Sequence, residues 1–99
     1  LVSLSGIRYK GGSPSYAITK FAAMGLSQVL RKAAWDDGVR VTALCPGDTL
    51  TDMTALSGTP AEIQTSPENL AEIVSHVLAL PNIASVATIP VNCRAEPAI

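Results

Sequence analysis

Apolar and polar positions change period several times along this chain. Residues 1–5 (LVSLS) alternate as a short strand does. They run into GIRYKGGSPS, a turn-rich segment in which Gly11 and Gly12 supply backbone freedom. Ser13 followed by Pro14 predicts a helix start, with a hydroxyl at the N-cap and proline at the first helical position. From about residue 14 to 35, Ile18, Ala22, Leu26 and Val29 recur at helical spacing, and Phe21, Gly25 and Leu30 widen the stripe. Small residues Ala22, Ala23 and Gly25 let another element approach closely. Asp36-Asp37-Gly38 ends the helix. Residues 39–46 (VRVTALCP) form a β-branched run stopped by proline and read as a buried strand.

A polar loop covers 46–59, and Thr59-Pro60 opens a short helical turn. Ser66-Pro67-Glu68 is a second helix start, with Leu70, Ile73, Val74, Val77 and Leu78 as its apolar face. Pro81-Asn82 breaks that helix. Residues 85–92 (SVATIPVN) read as a last strand in which Pro90 either weakens the strand reading or marks an edge, and 94–99 carry no signal. The order strand, helix, strand, loop, helix, strand predicts an α/β class with a parallel sheet and crossover helices. Three strands make a thin sheet with bare edges and little cover.

Composition narrows this picture. With 47% apolar and 15% charged residues in 99, the chain can bury the core of one domain, or of a piece of one, and is not disordered. A net charge of −1 gives no reason to expect nucleic acid or an anionic membrane as partner. No apolar run approaches a membrane span and no secretory leader is visible. Cys45 and Cys93 lack a C-x-x-C partner and read as reduced, packed thiols of a cytoplasmic protein. Two cysteines and one histidine leave no structural metal site to expect. Because the chain opens on Leu1, directly in strand-like sequence, we expect the start of a larger protein to be missing.

Tyr16 and Lys20 stand four apart on the first helix, so their side chains share one face. A free phenol is a poor acid–base catalyst at neutral pH, and an ammonium within reach stabilises its anion. Such a pair can move a proton between solvent and a substrate oxygen. Any helix can also place a tyrosine beside a solvated lysine, so the pair needs its context.

That context is a resemblance. SYAITKFAAMGLSQVL is similar to the active-site helix of the short-chain dehydrogenase/reductases, with its Tyr-x-x-x-Lys and a serine thirteen positions upstream. Ser3 stands thirteen before Tyr16, and Ser3-Leu4-Ser5-Gly6 matches the family's Ser-x-x-Gly. VRVTALCPGDTLTDM resembles the strand and Pro-Gly-x-x-x-Thr loop beside the nicotinamide, and PNIASVATIPVN resembles the last strand. The resemblance implies a doubly wound, Rossmann-type parallel-sheet fold and an oxidoreductase dependent on NAD or NADP. Its substrate would be a small carbonyl compound or secondary alcohol. Ser3, Tyr16 and Lys20 would be catalytic: Tyr16 as the general acid/base, also in contact with the cofactor, Lys20 holding the nicotinamide ribose and favouring the Tyr16 anion, and Ser3 bonding the substrate oxygen. Pro46, Gly47 and Thr49 would line the nicotinamide, and Thr51 would bond its carboxamide or the pyrophosphate. A homodimer or homotetramer through helix 14–35 is also implied.

Departures from the family pattern sharpen these expectations. Aligned by apolar pattern instead of spacing, Ser5 would neighbour the active serine and Gly6 would occupy the hydroxyl's place. Asp48 stands where the family has an apolar or aromatic residue, and reads as a solvated loop aspartate. The family's Gly-rich turn, which seats the pyrophosphate, has no counterpart here. Residues 1–99 are therefore expected to be the catalytic half of a single dinucleotide-binding domain, inactive alone. The alternative is a non-catalytic fragment or association module of the same fold. Arg8, Tyr9 and Lys10 read as a solvated basic turn, His76 as a partly exposed structural histidine, and Trp35 as packing. Residues 54–65 correspond to the variable substrate lid, with a composition suited to mobility.

Overall fold

A computed structural model describes residues 1–96 and Ile99; residues 97 and 98, within the tail assigned no signal, lie outside the described residues. The long helix α1 spans Pro14–Ala33 and the second helix α2 spans Pro67–Leu78. Both start where cap chemistry places them. Ser13 accepts a bond from the Tyr16 N–H and Ser66 from the Asn69 N–H, each with proline next in line. α1 ends at the Ala34 cap, one residue short of Trp35. Trp35 then packs face-on against the Arg40 guanidinium, 3.6 Å from its ring centre. Gly38, at φ +79°, turns the chain toward the sheet.

The sheet is smaller than expected. Strands β1 (Ala43–Pro46) and β2 (Thr88–Val91) pair in parallel, with Ala43 opposite Thr88 and Pro46 opposite Val91. Residues 39–42 and 85–87 lie outside the ladder. Arg40 turns aside to bond the Asn82 and Trp35 carbonyls, and Thr42 reaches the Val86 carbonyl through its side chain. Pro90 sits within β2 opposite Cys45, at an edge as its missing N–H requires.

The opening strand is a correction. Residues 1–3 run beside β1 through a single backbone bond, Val2 N–H to the Leu44 carbonyl at 2.8 Å. Leu4–Gly6 then folds into a 3-10 turn capped by Ser3, whose hydroxyl accepts from the Ser5 N–H. One bond and an immediate turn cannot make a ladder. The three-stranded expectation therefore gives way to a two-stranded sheet among the described residues.

The core lies where this turn, α1 and β1 meet. Leu4 is 1% exposed and Cys45 fully buried, joined by Ala17, Ala43 and Leu44. The helix turns its small side inward: Ala17 and Ser27 are buried and Met24 half-buried. Its apolar stripe points outward, with Ile18 68%, Leu26 57% and Val29 63% exposed. The stripe's spacing predicts the helix, but none of the described residues covers it. On α2, Leu70 is buried and Ile73 and Val77 half-buried, whereas Val74 and Leu78 are exposed.

Gly6 fixes the distance between turn and helix. A Cβ there would stand 2.7 Å from the Lys20 carbonyl oxygen and 2.9 Å from Met24 Cγ and Val2 Cγ1. Backbone cannot yield as a flexible side chain does. In the full-length protein, Gly6→Ala should therefore lose roughly 1–3 kcal/mol of stability, the usual cost of overpacking. Urea unfolding measures it, and an unchanged midpoint would mean that the turn is free to lift off α1.

Candidate active site

Three segments converge at the carboxyl end of the parallel strands, where α/β sheets place their ligands. The first is the Leu4–Gly6 turn with Ser3 ahead of it. The second is the first two helical turns of α1, bearing Tyr16 and Lys20. The third is the loop after β1, bearing Gly47, Thr49 and Thr51. Glycines set both contacts between them. Gly6 lets the first touch the Lys20 carbonyl, and Gly47 lets Leu4 approach to within 3.1 Å of where a Cβ would stand. The Gly47 N–H bonds the Val91 carbonyl at 2.8 Å and anchors the loop to β2.

Tyr16 and Lys20 are both half-buried on one face of α1. The Lys20 ammonium lies over the Tyr16 ring, 5.4 Å from its centre, a cation–π arrangement. No hydrogen bond among the described residues joins the Tyr16 hydroxyl, the Lys20 ammonium and the Ser3 hydroxyl. The fold thus brings their elements together while the three polar ends stay free of one another. Catalytic hydrogen bonds commonly tighten only when substrate arrives. The Ser3 hydroxyl accepts from Ser5 N–H at 3.1 Å and keeps its own proton to donate. Ser5 Oγ makes no bond among the described residues, so both serines keep a usable hydroxyl.

In the loop, Pro46 closes β1 and Thr49 donates its hydroxyl to the Gly47 carbonyl at 3.2 Å. Its oxygen remains able to accept from an amide. Thr51 caps a 3-10 turn at Asp52–Thr54, its hydroxyl 3.3 Å from that of Thr54. Cys45 lies beneath this loop, its sulfur 3.6 Å from Met24 Sδ, and burial pushes the thiol up from its ordinary value. It is a packing thiol.

Two readings of charged residues need correcting. Asp48 is not a free loop carboxylate but half-buried and partnered, since its carboxylate accepts the Thr59 hydroxyl and its carbonyl accepts the Thr65 N–H at 3.0 Å. Arg8 and Lys10 are not a free basic turn, since both grip Glu96, at 2.7 and 2.8 Å. Tyr9 bonds the Gly12 carbonyl. Sequence reasoning missed Thr54, Thr59, Gln64 and Glu96, whose partners lie across loops or at the far end of the chain. His76 is exposed on α2.

The match to known proteins falls on the same elements. Residues 1–62, more than half of the chain, match the family model for short chain dehydrogenases. The chain belongs to the short-chain dehydrogenase family. It is 33% identical over 95 residues to agropine synthesis reductase of Rhizobium rhizogenes, covering 95% of this chain and 22% of that protein. An uncharacterized oxidoreductase of Staphylococcus aureus strain MW2 is 32% identical over 92 residues, 93% of this chain and 40% of that one. Among solved structures, a betaketoacyl-ACP reductase from Bacteroides thetaiotaomicron superposes with TM-score 0.70 at 35% identity, covering 78% of this chain and 34% of that one. An alcohol dehydrogenase from the archaeon Thermococcus sibiricus, complexed with 5-hydroxy-NADP, gives TM-score 0.80 at 28% identity, covering 96% and 42%. The short-chain dehydrogenase chain therefore spans 22–40% of the length of these two curated relatives. Its two helices and parallel strands are part of the α/β, Rossmann-type fold of that oxidoreductase family. No helix among the described residues is long and apolar enough to cross a membrane.

The Glu96 clamp generates a pH prediction. Hydrogen bonding from Lys10 lowers the Glu96 carboxyl from its ordinary value, against partial burial and with added help from Arg8. The folded state thus holds this proton more weakly than the unfolded chain. The stabilisation is complete above the ordinary carboxylate range and disappears as pH falls through the lowered folded value. It amounts to about 1 kcal/mol or less, because water reaches Lys10. Melting temperatures of the full-length protein and Glu96→Gln, taken from pH 7 to pH 3, should differ at neutral pH and converge in acid. Parallel curves would remove the clamp.

Proposed function

We propose that residues 1–99 are the catalytic half of a single dinucleotide-binding domain, in an enzyme that interconverts a small carbonyl compound and a secondary alcohol with NAD or NADP. The observation that carries this reading is the close seating of Gly6 on the Lys20 carbonyl and of Leu4 on Gly47. It gathers the serine turn, the Tyr16–Lys20 face and the 46–51 loop at one end of the sheet.

The donor set suits a nicotinamide riboside. Lys20 Nζ is uncommitted to any hydrogen bond among the described residues and can bond ribose hydroxyls. Thr49 can accept from the carboxamide, and Pro46, Gly47 and Thr51 complete that wall. Hydride transfer is the chemistry a bound nicotinamide supplies. Tyr16 gives a proton to the substrate oxygen in reduction and takes one in oxidation. Ser3 donates to that same oxygen as negative charge builds on it. Spacing and the glycine at position 6 support Ser3 over Ser5.

The outward apolar stripe of α1 supports a homodimer or homotetramer through helix 14–35. It equally favours the second reading, an association module of the same fold without chemistry. Two reduced thiols support a cytoplasmic setting. The isolated 99-residue chain is expected to be inactive, lacking a pyrophosphate seat.

Calorimetry of the full-length protein with NADH and NADPH separates the two readings: one should bind, and binding of neither would sink the redox assignment. Tyr16→Phe should lower turnover by roughly 10²–10⁴-fold and leave cofactor affinity unchanged. Near-normal turnover would remove Tyr16 from the acid–base role. Ser3→Ala should cost far more turnover than Ser5→Ala, and the reverse order would transfer the role to Ser5.

A further inference from the structure

The loop after β1 and the segment opposite it are cross-linked by polar groups, and Asp48 is at the centre. Its carboxylate accepts the hydroxyl of Thr59, which is only 8% exposed although Gly58 and Pro60 on either side are exposed. Its carbonyl accepts the Thr65 N–H at 3.0 Å, and the Leu50 N–H returns a bond to the Thr65 carbonyl at 2.9 Å. Thr49 and Thr65 thereby form a parallel bridge. Gln64 Nε2 donates to the Thr59 carbonyl at 2.9 Å. The Thr54 hydroxyl donates to the Thr49 carbonyl and lies 3.3 Å from Gln64 Oε1. Far from being a free flap, residues 54–65 are tied at several points to the loop that carries Gly47 and Thr49.

We propose that Asp48 is a positioning residue, which braces the 57–65 segment against the 46–51 loop so that the substrate-side wall is set before substrate binds. This rests on the redox reading given above. A hydroxyl as buried as that of Thr59 needs an acceptor, and a carboxylate accepts more strongly than a neutral group. An apolar residue at position 48 would leave it unpaired. Tyr16, Lys20 and Ser3 take no part in the network, so its loss should weaken substrate binding and spare the chemical step. A wall held in place costs less ordering on binding than one that must close.

Three variants of the full-length protein test this: Asp48→Ala, Thr59→Val and Asp48→Asn. The first two remove the acceptor or the donor; the third keeps an oxygen that can accept from Thr59. Amide hydrogen exchange across 57–65 should speed up about tenfold in Asp48→Ala and Thr59→Val, the effect of one buried hydrogen bond, and return toward wild type in Asp48→Asn. KM for a carbonyl substrate should rise by about the same factor, with kcat within about twofold. Unchanged exchange in the first two variants would overturn the brace, whatever the activity. Faster exchange with an unmoved KM, or with kcat falling in step, would overturn the positioning role. A wild-type protein without nicotinamide-dependent turnover would instead bring down the redox reading, while exchange still judges the brace.

Discussion

The whole arrangement depends on a position where a side chain is missing. Gly6 lets a 3-10 turn lie directly on the backbone of α1 at Lys20, with Met24 and Val2 closing the gap on either side. Without that contact, Leu4 would not reach Gly47 and Ser3 would not sit beside the helix that carries Tyr16. Close packing is what makes so short a turn precise: three residues cannot define their own position, but they inherit one from a helix and a strand they touch. The glycine three places after the serine is therefore a geometric requirement.

Around this apolar seat, charge is used sparingly and at long range. Asp48 reaches Thr59 eleven residues on, and Arg8 reaches Glu96 eighty-eight residues on. Both bonds fasten loops that apolar burial leaves unattended. The loop after β1 has few side chains to bury, so polar cross-links fix its shape. The segment between the serine turn and α1 is largely exposed and contains Gly11 and Gly12, and its basic residues Arg8 and Lys10 hold Glu96 against it. In a chain with 15% charged residues, these carboxylates are not scattered solvating groups but ties between distant segments.

What could be read from the sequence follows the range of the interactions involved. Helix starts at Ser13-Pro14 and Ser66-Pro67 were legible because a cap and its partner N–H lie three residues apart. The family was legible because the spacing of its motifs is itself one-dimensional. Strand lengths were not, because a ladder extends only as far as its partner follows. Residues 39–42 have strand-like side chains but no neighbour in register among the described residues. The 3-10 turn at Leu4–Gly6 escaped notice because tertiary contact with α1, not local propensity, bends the chain there. Asp48 was misjudged for the same reason: nothing near it in sequence shows that Thr59 is buried against it.

Helix α1 faces two ways. Tyr16, Lys20, Ala23 and Ser27 fall on one side, and Ile18, Ala22, Gly25 and Val29 on the other, half a revolution away. The inner side is polar and small, and the outer side supplies most of the helix's unburied oil. Whatever body comes to rest on the outer side therefore presses on the same rod that bears the phenol and the ammonium. Stiffness at those two groups would then be shared between this polypeptide and any such cover, since an amphipathic rod supported along one flank alone bends more readily than one clasped from both.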